Sequence, residues 1–261
     1  MSDLVATIET LAANALPVKH LQRLDGWRLR YNDGVTRRAN SVLAEVAGVL
    51  PLPTKLARAE AFYAELNTVC RFQICPASQP GNLDAVLDAQ GYLLEPGADV
   101  QIAKVRHLTG GGDARDGVSL LQAPDLAWLR VYEAVEWSNA AAAARRREML
   151  ETMSGELAFV LVRRGDEPAG VGLGVFEADF VGIFNMATHP AFRRRGVATQ
   201  VLLSLAHWAR AKGAERLYLQ VASGNEAAKT AYERFGFTTL YSYHYRVQDV
   251  KSEKQEKGES S

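Results

Sequence analysis

Near its C-terminal end the chain carries an apolar run that is followed by a helical pattern. Residues 181–187 are apolar and β-prone, and the run stops at Thr188-His189-Pro190, because proline has no amide with which to extend a ladder. After three arginines, apolar residues recur at helical spacing over residues 197–209, until Lys212-Gly213 gives a basic last turn and a glycine stop. The pattern predicts a strand, a short loop and a helix that begins at about Gly196.

The loop between this predicted strand and helix gathers three arginines, Arg193, Arg194 and Arg195, in front of Gly196. Backbone N–H groups without intrahelical acceptors and the positive end of the helix dipole lie at the same place, and such a place binds phosphate groups. The sequence therefore predicts a pyrophosphate-binding loop, and the alternative is a solvated basic patch for nucleic acid. Because the chain has 30 basic and 30 acidic residues, no nucleic-acid partner is expected.

A second strand and helix follow this helix. Residues 217–221 alternate apolar and polar side chains as in a half-buried strand, and Ser223-Gly224-Asn225 supplies a turn and a helix cap. The pattern predicts a helix over residues 226–234 that ends at Phe235-Gly236, because glycine readily adopts the left-handed conformation that closes a helix.

Both segments resemble motifs of one enzyme superfamily. Arg193-x-x-Gly196-x-Ala198 is similar to the coenzyme-binding signature of the GNAT superfamily of acyl-CoA-dependent acyltransferases, and Asn225-x-x-Ala228-x-x-x-Tyr232 resembles its fourth-helix motif. The resemblance covers about residues 155–245 and implies acetyl-CoA as the acyl donor and no metal. The residues that it implies as contacts of acetyl-CoA are Met186, Ala187, Thr188, Arg193, Arg194, Arg195, Gly196, Val197, Ala198, Thr199 and Asn225.

The same resemblance makes Tyr232 the candidate general acid, close to the thioester sulfur. A phenol with a pKa of about 10 is protonated at neutral pH and can give its proton to the leaving thiolate. The alternative is that Tyr232 is a packing aromatic on an amphipathic helix. Because no cysteine lies near the motifs, an acyl-enzyme is not expected and the acceptor amine would attack directly.

The general base has a weaker signal. Glu177 and Asp179 are the acids nearest to the motifs, and Glu177 is the candidate base. The proton could instead leave through water, a backbone carbonyl or Asn185. His189 precedes Pro190 and is expected to shape the loop rather than to act as the base.

The stretch before these acids has an unusual pattern. Over residues 169–175 glycines alternate with aliphatic residues, so one face of the predicted strand carries no side chains. Either a ligand, which would be the coenzyme or the acyl acceptor, or a tightly packed helix would lie on that face.

The first half of the chain repeats the order of the second half faintly. Residues 56–66, 70–75 and 83–89 read as helix, strand and helix, and Gly91-Tyr92 matches Gly236-Phe237. Residues 46–51 stand where the phosphate loop would be, but they contain no arginine. The chain therefore resembles tandem GNAT proteins with one active copy and one degenerate copy.

Two further stretches hold candidates for contact with the acceptor. Residues 25–30 and 37–42 look like strands joined by an Asn32-Asp33-Gly34 turn. Here Trp27, Arg38 and Asn40 either help to hold an anionic acceptor or lie at a sheet edge and a domain interface. Helices are expected over residues 125–137 and 140–153, and such helices flank the acceptor in the GNAT plan. Their lining candidates are Tyr132, Glu133, Glu136 and Trp137, and the alternative is an ordinary amphipathic face.

The expected fold class is α/β (α+β), with two GNAT-like mixed-sheet domains. A degenerate domain would span residues 1–106, a linker 107–116, a catalytic domain 117–247, and a disordered tail 248–261. No apolar run approaches the ~18 residues that span a bilayer, and the N-terminus does not read as a secretion signal. A cytoplasmic protein with no membrane partner is expected, with Cys70 and Cys75 as reduced, packed thiols.

Together these observations predict an acetyl-CoA-dependent N-acetyltransferase that transfers an acetyl group to a primary amine on a small metabolite. A protein lysine or N-terminus is the alternative acceptor. A module that binds acyl-CoA without turnover is the alternative from another class, and the presence of Tyr232 argues against it. The acceptor itself stays open, because one coenzyme site serves amines of many classes in the GNAT superfamily.

Overall fold

The computed structural model describes residues 2–109, 116–136 and 140–249 of the chain. It divides into two compact units: unit 1 is Met1–Asp99 with Tyr241–Ser261, and unit 2 is Val100–Leu240. The boundary between the units, after Asp99, comes before the expected linker at residues 107–116. It falls inside one continuous strand, Leu93–Lys104. Residues 110–115 of that linker and residues 250–261 of the expected tail lie outside the described residues.

The elements follow in chain order. The helices are α1 (Ser2–Asn14), α2 (Leu52–Glu65), α3 (Leu83–Ala89), α4 (Val105–Leu108), α5 (Leu126–Glu136), α6 (Ala140–Glu151), α7 (Val197–Ala211) and α8 (Glu226–Glu233). The strands are β1 (His20–Leu24), β2 (Trp27–Tyr31), β3 (Val42–Ala44), β4 (Arg71–Ile74), β5 (Leu93–Lys104), β6 (Val118–Leu121), β7 (Glu156–Arg164), β8 (Glu167–Glu177), β9 (Phe180–Thr188), β10 (Arg216–Ala222) and β11 (Thr238–Val247). Short 3-10 helices occupy Arg37–Ala39 and Pro190–Phe192.

Unit 1 contains a mixed sheet over an aromatic core. β1, β2 and β3 pair antiparallel, β3 and β4 run parallel, and β4 pairs antiparallel with β11. Trp27 and Phe72 are fully buried and meet edge to face, with their ring centroids 5.6 Å apart. The Lys55 ammonium lies 4.2 Å from the centroid of the Trp27 ring, and it donates to the backbone carbonyls of Asp25 and Ala47.

Unit 2 contains a mixed sheet with longer strands and shares one stretch of four elements with unit 1. β6 to β9 pair antiparallel in sequence order, and β9 and β10 run parallel. The order strand, helix, parallel strand, helix is β3-α2-β4-α3 in unit 1 and β9-α7-β10-α8 in unit 2. A glycine with a φ of 81° follows the last helix in each case, at Gly91 and at Gly236. The α/β class is confirmed, and this order of four elements occurs in both units.

The hairpin predicted in unit 1 is wrong. The two-residue turn is Asp25-Gly26, with φ of 45° and 87°, and it joins β1 to β2. Residues 37–39 form a 3-10 helix rather than a strand, and Asn40 Oδ1 accepts hydrogen bonds from the N–H groups of Asn32 and Gly34. Asp25-Gly26 and Asp33-Gly34 both carry the Asp-Gly hairpin signal, so this signal alone does not decide between them. The second pair lies in a longer loop that the Asn40 side chain holds.

Other elements agree with the sequence more closely. α3 has the predicted bounds, and α7 begins directly after Gly196. α2 begins earlier than predicted, because proline fits the first turn of a helix. Cys70 and Cys75 are buried and not disulfide-bonded, and burial raises the pKa of the Cys75 thiol to about 11. Within the described ranges, no helix has the length and apolar character that crossing a membrane requires.

Candidate active site

A β-bulge lies in β9. Val171 of β8 pairs with Ala187 and Leu173 pairs with Phe184, so β9 has one more residue than β8 between these pairs. Asn185 accommodates the extra residue with a φ of 52°, in the left-handed region that asparagine tolerates better than most residues. A bulge bends its strand and leaves one residue unpaired in the ladder, and bulges are frequent beside functional sites.

β9 and β10 pair over only part of their length. Their ladder runs from Phe180 and Arg216 to Ile183 and Leu219, whereas the strands themselves continue to residues 188 and 222. Beyond the ladder, the facing edges carry backbone N–H and C=O groups that this pair of strands does not use. The arrangement provides an opening in which an extended molecule that contains amides can lie between the strands.

The connection from β9 to α7 is shaped to receive an anion. Arg194 and Gly196 have φ of 59° and 75°, and the space around Gly196 is open, so the glycine is required for its conformation. The first backbone bond across the start of α7 runs from Gln200 N to Gly196 O, at 3.0 Å. The helix therefore offers no acceptor to the N–H groups of residues 197–199, and all three loop arginines are exposed beside them.

His189 shapes this loop, as expected. Its Nδ1 accepts from the N–H of Ala191 at 3.4 Å, which caps the 3-10 helix. Its own N–H donates to the carbonyl of Ala169 at 2.9 Å, which ties the loop to β8. The guanidinium of Arg195 lies 5.9 Å from the centroid of the Phe192 ring, so one arginine is held against the loop.

The glycine face of β8 is covered by α7. A Cβ atom on Gly170 would lie 2.3 Å from Val197 Cγ1, and one on Gly172 would lie 2.6 Å from Val201 Cγ1. Of the two occupants that the sequence left open, the helix is the one in contact with this face. The glycines allow the helix that begins at the phosphate loop to approach the sheet closely.

α8 begins shortly after the open end of β10, with Asn225 before its first residue and Tyr232 in its last turn. Asn225 Oδ1 accepts from the Ala228 N–H at 3.1 Å and caps the helix, while the Asn225 NH2 group is a donor that the cap does not use. Tyr232 is half-buried against the core of unit 2, with its ring centroid 5.8 Å from that of Phe237. Burial raises the pKa of Tyr232 above its ordinary value, so the phenol keeps its proton throughout the neutral range.

Hydrogen bonds reach the bulge from α5 and α6. Arg146 donates to Tyr132 Oη at 2.9 Å, and Tyr132 donates to Asn185 Oδ1 at 2.9 Å. Tyr132 is 2% exposed, and Arg147 pairs with Glu133 across the same two helices. Tyr132 thus lies at the bulge, where the GNAT plan expects acceptor-lining residues.

Some residues near these helices were missed or lie beyond the described structure. The sequence arguments did not single out Arg146, because nothing in the run of residues 145–147 distinguishes one arginine from its neighbours. The Glu136 side chain and Trp137 lie outside the described residues.

The candidate bases lie at the far end of the β8–β9 hairpin. Glu177 is exposed and pairs with Phe180 beside the turn. The strand rises about 17 Å from Phe180 to Asn185, at ~3.3 Å per residue. Asp179 lies in the same turn, where its carbonyl accepts from the N–H groups of Glu215 and Arg216. The structure therefore does not bring Glu177 or Asp179 to the bulge.

In unit 1, the segment that corresponds to the phosphate loop faces an internal carboxylate. Asp25 accepts from the N–H groups of Val49 and Leu50, at 2.9 and 2.8 Å, just before α2 begins. These backbone bonds hold the pKa of Asp25 below its usual value. The amides that a phosphate would need at this place are used by the protein itself.

Two of the three acceptor candidates of unit 1, Trp27 and Asn40, are part of its internal structure, whereas Arg38 is half-buried. Trp27 is fully buried and donates from Nε1 to the carbonyl of Gln79 at 2.9 Å. Asn40 is 6% exposed and bonds to the backbone of the loop around it. Neither Trp27 nor Asn40 lies at a sheet edge, and both stabilise unit 1.

The sequence matches one family model over most of its length. A model described as "Probable histone acetyltransferase Rv0428c C-terminal" matches residues 3–246. YobR, an uncharacterised N-acetyltransferase from Bacillus subtilis strain 168, is 29% identical over 247 residues, which cover 94% of this chain and 99% of YobR.

Two solved structures resemble the whole chain. A GCN5-related N-acetyltransferase from Kribbella flavida matches with a TM-score of 0.69 at 15% identity, over 94% of this chain and 95% of that one. A tandem GNAT protein from the clavulanic acid biosynthesis pathway matches with a TM-score of 0.64 at 14% identity, over 94% and 87% of the two chains. Both likenesses show that the fold is that of GNAT proteins.

Proposed function

The chain belongs to the Rv0428c_C family of acetyltransferases, and from that premise we propose that it transfers the acetyl group of acetyl-CoA to a primary amine on a small metabolite. The family and YobR support the N-acetyltransferase class. The single observation that carries the proposal is the juxtaposition, in unit 2, of the β9–β10 opening and the amide-lined start of α7.

The residues at the start of α7 fit a pyrophosphate. The N–H groups of Val197, Ala198 and Thr199 would donate to phosphate oxygens, and residues 193–195 supply three positive charges beside them. Gly196 allows the chain to turn into the helix without a side chain between the amides and the anion.

The opening between β9 and β10 fits the amide-containing arm of the coenzyme. Met186, Ala187 and Thr188 lie in the part of β9 beyond the ladder, and the NH2 group of Asn225 is a donor on the α8 side. When bound, acetyl-CoA supplies an acetyl group activated as a thioester. The backbone of β9 would hold that group beside the bulge at Asn185.

Tyr232 would donate a proton to the departing thiolate. Its raised pKa keeps it protonated, and its half-buried position limits competition from water. At the bulge, Tyr132 of α5 holds the Asn185 side chain in place. The amine proton would leave through water or a backbone carbonyl at the bulge, and Glu177 could take part only through a water relay across the ~17 Å of strand between them.

The test is acetyl transfer by the full chain. Acetyl-CoA is mixed with a panel of primary amines, released thiol is followed by absorbance, and products are identified by mass spectrometry. We expect turnover with at least one small amine. We also expect Tyr232→Phe to lower kcat about 10²-fold or more, the usual contribution of a general acid, while the Kd for acetyl-CoA changes by less than about twofold.

The control is Tyr31→Phe, which makes the same chemical change at a half-buried tyrosine of unit 1 and should leave kcat unchanged. Unchanged turnover in Tyr232→Phe would remove this residue from its role. Transfer to peptides alone would establish the protein-acceptor alternative, and binding of acetyl-CoA without transfer to any amine would establish the binding module.

A further inference from the structure

A basic cavity of about 590 Å³ lies at the other end of α7. Its lining combines residues from β5, α4, the end of α7 and the start of β10. They are Lys104, Val105, Arg106, Thr109, Arg210, Ala214, Glu215 and Arg216. Four cationic side chains therefore face one carboxylate in a cavity whose volume is within the ~300–1,000 Å³ range of small-molecule sites.

The backbone around the cavity is held by hydrogen bonds between separate elements. The Val105 N–H donates to the Glu215 carbonyl at 3.0 Å, which joins the start of α4 to the start of β10. The Glu215 and Arg216 N–H groups donate to the Asp179 carbonyl at 2.9 and 3.2 Å. Val105, Thr109 and Ala214 are at most 8% exposed. The lining thus combines buried, hydrogen-bonded backbone with cationic side chains, three of which are exposed.

Most cations of the cavity are not paired with a carboxylate of the residues that the structure describes. Among the described residues, Lys104, Arg106 and Arg210 form no ion pair. The guanidinium of Arg216 lies 5.7 Å from the centroid of the Phe180 ring. A basic residue in the last turn of a helix complements the helix dipole, which applies to Arg210 in α7 and to Arg106 in the single turn of α4. It does not account for Lys104 of β5 or Arg216 of β10.

The cavity is separate from the proposed coenzyme site. α7 has 15 residues between the phosphate loop and the cavity, which is about 22 Å at ~1.5 Å per residue. The β9–β10 ladder is closed from Phe180 and Arg216 to Ile183 and Leu219. A ligand in the β9–β10 opening therefore cannot pass between these strands to reach the cavity.

We infer that this cavity binds a phosphorylated small molecule with at least two negative charges. Three guanidinium groups and one ammonium suit phosphate, because guanidinium forks pair with phosphate oxygens in a bidentate manner. The concave shape and the volume favour a molecule about the size of a nucleotide over a nucleic-acid strand. The inference does not rest on the acetyltransferase activity, and it adds a second anion site to unit 2.

The test is calorimetric titration of the full chain with tripolyphosphate. The reference protein carries Arg193→Ala and Arg194→Ala, so that the phosphate loop contributes little to the measured heat. On this background, Arg106→Glu with Arg210→Glu should weaken tripolyphosphate binding about a hundredfold, which corresponds to the loss of two charge-assisted contacts of about 1.5 kcal/mol each. The matched control Arg58→Glu, on the exposed side of α2, should change affinity less than about twofold.

The milder pair Lys104→Gln with Arg106→Gln covers the case in which charge reversal disturbs folding, and it should weaken binding at least about tenfold. Equal affinity in the reference protein and in both cavity variants would overturn the inference, and so would the absence of binding in the reference protein. Equally tight binding of citrate would overturn the assignment to phosphate. A 30-nucleotide single strand that binds the cavity much more tightly than tripolyphosphate would make the cavity part of a nucleic-acid surface instead.

Discussion

The close contact between β8 and α7 provides a direct test of how the phosphate loop is positioned. In Gly170→Ala the new Cβ would lie 2.3 Å from Val197 Cγ1, on the first residue of α7. Ordinary carbon contacts are about 3.5–4.0 Å. The first turn of α7, which carries the proposed phosphate-binding amides, must therefore move by about 1 Å or the side chain of Val197 must leave its rotamer.

The expected cost is that of overpacking a core, about 1–3 kcal/mol. For a chain of this size, this corresponds to a Tm lower by about 2–12 °C, at ~2–4 °C per kcal/mol. We also expect the Kd for acetyl-CoA to rise about tenfold, which is equivalent to the loss of one charge-assisted hydrogen bond. Thermal unfolding and isothermal titration measure the two effects.

Two companion variants separate the clash from a general effect of alanine. Gly81→Ala places its Cβ in open space in unit 1, so it should leave the Tm unchanged or raise it slightly. Adding Gly170→Ala to a Val197→Ala background should cost little, because Cγ1 is gone and the next neighbour, the Ala187 carbonyl, is 3.4 Å away. The reasoning fails if Gly170→Ala is no worse than Gly81→Ala, or if the effects of Gly170→Ala and Val197→Ala simply add.

Three further predictions concern the polar contacts. The pKa of Asp25 is lowered in the folded protein, so its contribution to stability is present above the unfolded value of about 3.9 and is lost as the pH falls through the folded value. Asp25→Asn should therefore lower the Tm more at pH 7 than at pH 2, and an equal loss at both would contradict this. Tyr132→Phe removes the bond to Asn185 and should raise KM for the amine about tenfold while leaving the Kd for acetyl-CoA unchanged; a change in coenzyme affinity alone would argue against an acceptor-side role. Because burial raises the pKa of Tyr232, the difference in absorbance near 295 nm between the wild type and Tyr232→Phe should have its midpoint above the ordinary value of about 10; a midpoint below that value would refute it.

The elements around the motifs could be predicted because their signals are local. Pro190 ends β9, Gly196 turns the chain into α7, and Asn225 caps α8, and each acts on its own backbone or on that of near neighbours. The order strand, helix, strand and helix was predictable in both halves because the second helix of each set is followed by a glycine, at positions 91 and 236.

Features that depend on distant pairing could not be predicted in the same way. The bulge at Asn185 is defined by the register with β8, and the bond from Tyr132 comes from residues far away in sequence. Asp25 was counted as part of a strand, whereas it forms a turn and occupies the amides before α2. The glycine face of β8 could have met a ligand or a helix equally well, and only the packing of α7 decides between them.

The measurement that tests the account most directly is the stoichiometry of acetyl-CoA binding to the full chain by isothermal titration. The account predicts one site per chain, because the loop of unit 2 offers its amides to a ligand while those before α2 bind Asp25. The site should be lost when Arg194→Ala is combined with Gly196→Trp, and it should persist in Arg58→Glu. Two sites per chain, no site, or binding that survives the double substitution would contradict the account.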